Sequence, residues 1–206
     1  IILAASCSTT RVLQDGEYRL EKNRIEIVND KEFNPNALNP YLKQKHKGWS
    51  PFLYVYNWAN GKGKGWDKFV HRIGTAPIVY DPEMVDNTIE TIDNHLEYLG
   101  YFGSRTESEI KVNKRRVEVI YKVTLGDRIP IRDIEINLPE RGEFPSAFLK
   151  DTAAMTVRPG DFLSESSLES ETDRYASILR NQGFYSFNKN HFFFEADTLS
   201  YPGSAV

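Results

Sequence analysis

Four histidines, one cysteine and a few clustered charges are the side chains of this 206-residue chain that could do chemistry. His46, His71, His95 and His191 stand far apart, and none lies at metal-ligand spacing from another or from Cys7. No Gly-x-Ser-x-Gly elbow occurs to present a nucleophilic serine. The run Gly61-Lys62-Gly63-Lys64-Gly65 lacks the four-residue gap, the Gly-Lys-Ser/Thr ending and the following helix start of a phosphate-cradling loop. It reads as a mobile loop, with contact to acidic lipid head groups or lipopolysaccharide phosphates as the alternative. Glu165, Glu169, Glu171 and Asp173 fall on or near the first turns of a helix, where the helix dipole accounts for them without acid–base work. Arg115, Arg116 and Arg141 read as surface charges on strand edges or turns. These residues predict no enzyme, no metal and no cofactor.

Cys7 is the exception. A single cysteine cannot form an internal disulfide, but its neighbours are distinctive. The chain opens as Ile-Ile-Leu-Ala-Ala-Ser-Cys with no charge before Arg11, as in the tail of a signal peptide's apolar core. Ala4-Ala5-Ser6-Cys7 resembles a bacterial lipobox, in which small residues admit the peptidase to the bond before a cysteine that becomes lipidated. Leu3 stands one place earlier than the commonest spacing. Ser8-Thr9-Thr10 reads as a polar tether behind it. Nothing else in the chain approaches the roughly 18 apolar residues of a membrane-spanning helix. The net charge of −3, from 26 basic and 29 acidic residues, argues against a nucleic-acid partner. With 40% apolar and 27% charged residues a packed core is expected.

The elements that must position these residues follow from their periodicities. Residues 18–28 alternate in part and read as a strand. Asn34-Pro35-Asn36 offers a cap with proline in the first turn, predicting a short helix through Leu42 and Gln44. Residues 47–75 carry Trp49, Phe52, Tyr54, Tyr56, Trp58, Trp66 and Phe69 around the glycine–lysine run, and read as an aromatic hairpin or insertion. Asp81-Pro82 opens the clearest helix, with Val85, Ile89, Ile92, Leu96 and Leu99 at steps of three and four and Gly100 as its stop. Strands are expected over 104–112, 116–125 and 129–138. A short helix over 145–150, a second amphipathic helix from Ser164 to Gly183 and a strand over 191–196 complete the series.

A shift of 83 residues overlays the two long helices without a gap. Asp81 falls on Ser164, Val85 on Leu168, Ile92 on Tyr175, Leu96 on Leu179 and Gly100 on Gly183. Tyr101-Phe102 then falls on Phe184-Tyr185, and Ile110 on Phe193. At a shift of 109, Ile25 and Ile27 match Ile134 and Ile136. Such joint register reads as a duplication, each copy running strand, helix, helix, strand, strand. The expected organisation is a leader, lipobox and tether over 1–16, a first unit over 17–126 with the aromatic insertion, and a second over 127–206 that stops short of its last strand.

A unit of this order whose second helix ends in Leu-x-x-x-Gly followed by two aromatics resembles the POTRA domain. The motif stands as Leu96-Glu97-Tyr98-Leu99-Gly100-Tyr101-Phe102 and again as Leu179-Arg180-Asn181-Gln182-Gly183-Phe184-Tyr185. Tyr121-Lys122-Val123-Thr124-Leu125-Gly126, running into Ile129-Pro130-Ile131, looks like the usual join between successive units. With the lipobox in front, the chain looks most like TamL, the lipidated TamA-like branch of the BamA and TamA group. The resemblance implies an α+β fold of two tandem β-α-α-β-β units, each a small mixed sheet with two helices on one face.

It also implies a non-enzymatic scaffold at the periplasmic face of the outer membrane, held by lipid on Cys7 and by a membrane β-barrel downstream. The partners it implies are a TamB-like bridging protein, the BamA complex and unfolded outer-membrane protein clients. Clients would add as strands to the second strand of the unit, here Ser104, Thr106, Ser108, Ile110 and Val112. A different reading is a free-standing periplasmic lipoprotein that binds peptide, glycan or lipid through Trp49, Tyr54, Tyr56, Trp58 and Trp66.

Overall fold

The computed structural model describes residues 9–46, 50–59 and 65–206. The chain divides into a first unit, Ile1–Ile92 with Arg105–Thr124, and a second, Asp93–Ser104 with Leu125–Val206. The class is α+β, as expected. In the first unit β1 (Arg19–Ile27), β2 (Arg105–Asn113) and β3 (Arg116–Thr124) form one mixed sheet in the order β1-β3-β2. β3 takes the centre with one wholly apolar face and an opposite face that carries Arg116, Glu118, Lys122 and Thr124 around the single apolar Ile120. Val117, Val119, Tyr121 and Val123 alternate along one face at no more than 1% exposure, and Ile120 is buried on the other. β1 runs parallel to it, with Arg24 opposite Ile120 and a bulge between Leu20 and Lys22. β2 runs antiparallel, from Arg105 opposite Thr124 to Asn113 opposite Arg116. Their two-residue turn holds Lys114 at φ 57, the left-handed backbone that such a hairpin requires.

Two readings of the first unit change. Residues 47–75 were expected as an aromatic hairpin or insertion; their described parts form no hairpin but two helices, α1 (Pro51–Tyr56) and α2 (Gly65–Ile73). The Ser50 side chain accepts the Phe52 N–H with Pro51 in the first turn, a helix start that the density of aromatic residues obscures. Trp66, Phe69, Val70 and Ile73 then recur at helical steps, so a helix does begin directly after the glycine–lysine run. The second change is at the front of the chain. Thr9, expected in a tether, is 2% exposed, and its hydroxyl accepts a hydrogen bond from the buried Arg19 guanidinium. The Arg11 and Val12 N–H groups donate to Asn57 Oδ1 at 2.9 and 3.3 Å, and Leu13 is buried. A cationic side chain removed from water needs such a partner, and Thr9 supplies it.

A 3-10 helix over Pro35–Tyr41, capped by Asn34, buries Leu38. α3 (Pro82–Tyr98) starts where Asp81 accepts the Glu83 N–H at 3.0 Å. Its inward stripe is Val85, Thr88, Ile92 and Leu96. In the second unit α4 (Phe144–Leu149) and α5 (Glu165–Asn181) enclose an aromatic core. Phe148 stacks on Tyr175 at 4.4 Å, Ala147 and Leu179 are buried beside them, and Phe184, Phe187 and Phe192 pack around the cluster.

α3 and α5 have the same length at the expected offset of 83, and they end alike. The Tyr101 and Phe184 N–H groups return to the Leu96 and Leu179 carbonyls at 2.9 and 3.0 Å. Gly100 and Gly183 follow them at φ +87 and +102, in the left-handed conformation that glycine adopts without a Cβ penalty. Beyond this point the two halves diverge. Residues 129–138 form no strand; isolated bridges join Pro130 to Phe162 and Ile131 to Ala205. Their apolar series jumps three places from Ile131 to Ile134, so one face cannot stay apolar, and Pro130 has no N–H for a ladder. Ile134 and Ile136 therefore lack the strand that Ile25 and Ile27 occupy. Residues 191–196 also form no strand. Asn188 caps a 3-10 turn over Lys189–His191, Phe192 goes to the core, and Phe193 is 90% exposed.

Candidate functional site

The sheet of the first unit has two edges, and they differ. Along β1 the outer edge is taken up by the chain itself. The Leu20 N–H donates to the Ile78 carbonyl and the Tyr80 N–H to the Tyr18 carbonyl, both at 2.7 Å, and the Asn23 N–H donates to His46 Nδ1 at 3.3 Å. The Asn23 side chain adds a bond to the Gln44 carbonyl at 2.7 Å, and Gln44 in turn donates to the Val79 carbonyl. Along β2 no strand among the described residues pairs with the outer side. The main-chain N–H and C=O groups there point away from β3 and remain available.

The expected edge residues sort by position. Ser104 lies just before the strand, where its hydroxyl donates to the Tyr101 carbonyl and accepts the Gly126 N–H at 2.8 and 2.9 Å. Thr106, Ser108, Ile110 and Val112 stand opposite Val123, Tyr121, Val119 and Val117, on the apolar face of β3. Thr106 is buried, whereas Ile110 and Val112 are 38% and 56% exposed. Apolar side chains thus line this face up to the edge and stop uncovered. The other face is charged. Glu109 bonds Lys122 at 2.8 Å and Lys111 at 3.3 Å, and these hydrogen bonds hold its carboxyl below the usual range. The hairpin end is fixed by Arg115, which donates to the Glu17 and Gln14 carbonyls instead of extending into solvent as a surface charge.

The aromatic residues of α1 and α2 form a second surface. Tyr54 is half-buried, and Tyr56 stacks on His71 at 4.4 Å. Trp58 and Trp66 are 53% and 51% exposed. Phe52, Phe69 and Ile73, which were not among the five expected binding residues, are also exposed, and the Trp66 and Phe69 rings lie 5.8 Å apart. Trp49 and Cys7 lie outside the described residues.

The remaining reactive groups have structural partners. Besides His46 and His71, His191 Nδ1 accepts the Asn188 N–H, and burial lowers the His95 pKa. No three His, Cys, Asp or Glu side chains among the described residues gather to hold a metal ion. Glu171 departs from the dipole reading: it is 5% exposed and binds Arg174 through both oxygens, with Thr156 donating as well. Burial pushes its pKa up, but those hydrogen bonds prevail and the carboxyl stays below its ordinary value. No helix among the described residues is long and apolar enough to cross a membrane.

No curated protein matches the chain. Among solved structures it is similar to POTRA1-2 of the periplasmic domain of Omp85 from Anabaena. The identity is 13% over 83% of this chain and 84% of that one, with a TM-score of 0.33. It is also similar to BamA POTRA3-5 of Haemophilus influenzae, at 10% identity over 84% of this chain and 89% of that one, with a TM-score of 0.29. The family model described as POTRA, surface antigen variable number repeat, matches residues 21–126. That span holds β2, β3, all but the first two residues of β1, the helices between them and the Leu96-to-Gly100 helix end, and on this match over half of its length the chain belongs to the POTRA family.

Proposed function

We propose that the chain is a periplasmic scaffold of an outer-membrane assembly factor that receives client chains by adding them as a strand beside β2. POTRA domains are periplasmic scaffolds of Omp85-type outer-membrane assembly factors. The observation that carries the client-binding step is the contrast between the two edges, one used up by residues 44–46 and 78–80, the other open. An added strand binds through main-chain hydrogen bonds, which ask little of client sequence, while Ile110 and Val112 give its alternate side chains an apolar footing. Unfolded outer-membrane barrel proteins suit such an edge, since their segments alternate apolar and polar residues. The finer reading places the chain in the lipidated TamA-like branch, with lipid on Cys7, a membrane barrel downstream, and a TamB-like bridge and the BamA complex as partners. It rests on the lipobox-like Ala4-Ala5-Ser6-Cys7.

The second reading, ligand binding through the aromatic surface, is favoured by the exposure of Trp58 and Trp66. Amide hydrogen exchange separates the two. A peptide copying one strand of an outer-membrane barrel should slow exchange over Arg105–Asn113 and leave α1 and α2 unchanged. Protection confined to α1 and α2 transfers the binding function to the aromatic surface, and unaltered exchange throughout refutes strand addition.

A further inference from the structure

The surface of α1 and α2 combines two features that strand addition does not use. On α2, Trp66, Phe69 and Ile73 follow at steps of three and four and are 51%, 53% and 43% exposed, while Asp67 and Val70 turn inward. Phe52 and Trp58 add two more exposed rings at the ends of α1. The exposed charges on α2 are Lys68 and Arg72, one turn apart, and its sole carboxylate is the buried Asp67. A stripe of Trp, Phe and Ile bordered by cations, with no exposed acid, is the pattern of a helix lying in the head-group region of a bilayer.

We infer that this face docks on the surface of an anionic phospholipid bilayer, with Trp66, Phe69 and Ile73 entering the head-group region and Lys68 and Arg72 on lipid phosphates. The sign of the charge selects this occupant over a neutral or cationic partner. A second observation agrees with it. The N–H groups of Arg11 and Val12 bind Asn57, at the end of α1, and Thr9 is locked on Arg19. Chain length alone keeps Cys7 within about 8 Å of Thr9. A lipid on Cys7 would therefore tether the chain near the Asn57 end of α1. Only this second observation rests on the lipidation proposed above.

The test is vesicle flotation with the full chain carrying Cys7→Ser, so that no acyl anchor contributes. Vesicles of phosphatidylethanolamine and phosphatidylglycerol should carry the protein upward, pure phosphatidylcholine should not, and added salt should weaken the association. Trp66→Ser with Phe69→Ser should lower the affinity by roughly thirtyfold. Lys68→Gln with Arg72→Gln should lower it by about as much at low salt. Ile110→Ser with Val112→Ser, on β2, should float like the parent. The six positions changed besides Cys7 are exposed, and circular dichroism checks that each variant folds. No flotation of the parent on anionic vesicles overturns the inference. So do equal flotation of the α2 variants, loss of flotation on changing β2 alone, and concentration-dependent self-association without flotation.

Discussion

Gly100 and Gly183 end their helices in the same way, yet replacing each by alanine should have unequal effects. Both positions lie in the left-handed region, at φ +87 and +102, where an alanine side chain costs about 1–2 kcal/mol. The smaller freedom of alanine in the unfolded chain returns about 0.4–1 kcal/mol of that. At Gly183 nothing else opposes the change, because a Cβ there meets no atom within 4 Å. At Gly100 a Cβ would stand 2.2 Å from the Leu163 carbonyl oxygen and 3.0 Å from the Ser164 Cβ. The backbone before α5 must then move by about an ångström, which as overpacking adds about 1–3 kcal/mol. Gly183→Ala should thus lose about 1 kcal/mol and Gly100→Ala about 2–4 kcal/mol. Urea unfolding of the full chain, followed by far-ultraviolet circular dichroism, reads the difference as a midpoint shift of about 0.5–2 M. Equal midpoints for the two variants would refute the reasoning, since they would mean that the Leu163 segment yields at no cost.

Two further outcomes follow from buried polar groups. Glu171 has its carboxyl held below the unfolded value of 4.5, so its contribution to stability is present above that pH and is lost as pH falls through the lower folded value. Urea midpoints between pH 7 and pH 3 should therefore fall less steeply for Glu171→Gln than for the parent, and parallel pH profiles would contradict the assignment. Asn57, 2% exposed, accepts from Arg11 and Val12 and donates to the Leu53 carbonyl at 2.8 Å. Asn57→Ala should cost about 1–3 kcal/mol and open the Arg11 peptide bond to trypsin while the sheet stays intact; unchanged cleavage there would show that other contacts hold the front of the chain.

The long helices and the central strand were legible because each joins a strong periodicity to a local stop. Asp81-Pro82 and Ser164 mark starts, Gly100 and Gly183 mark ends, and the alternation Val117 to Val123 has no break. The missed helices α1 and α2 carry Phe52, Tyr54, Tyr56, Trp66 and Phe69, aromatic residues that favour strands in isolation, and tertiary packing decided otherwise. The missed coil over 129–138 shows the converse, since five isoleucine and leucine side chains suggest a strand until the three-residue step and Pro130 are weighed.

The choice of edge was least accessible to pattern. β1, with Lys22, Arg24 and Glu26, is as polar as β2, with Glu107, Glu109 and Lys111, so polarity marks both as edge strands and separates neither. What separates them is whether a loop consumes the outward backbone groups. His46 does so for β1 from more than twenty residues away in sequence, and Ile78 and Tyr80 from more than fifty. β2 is reached by no such loop among the described residues: the chain enters it from the end of α3 and leaves it by the tight Lys114 turn that leads straight back along β3. Neither of these connections lays a chain along the outer side of β2. That connectivity, more than the composition of β2, is why we propose it as the edge that accepts another chain.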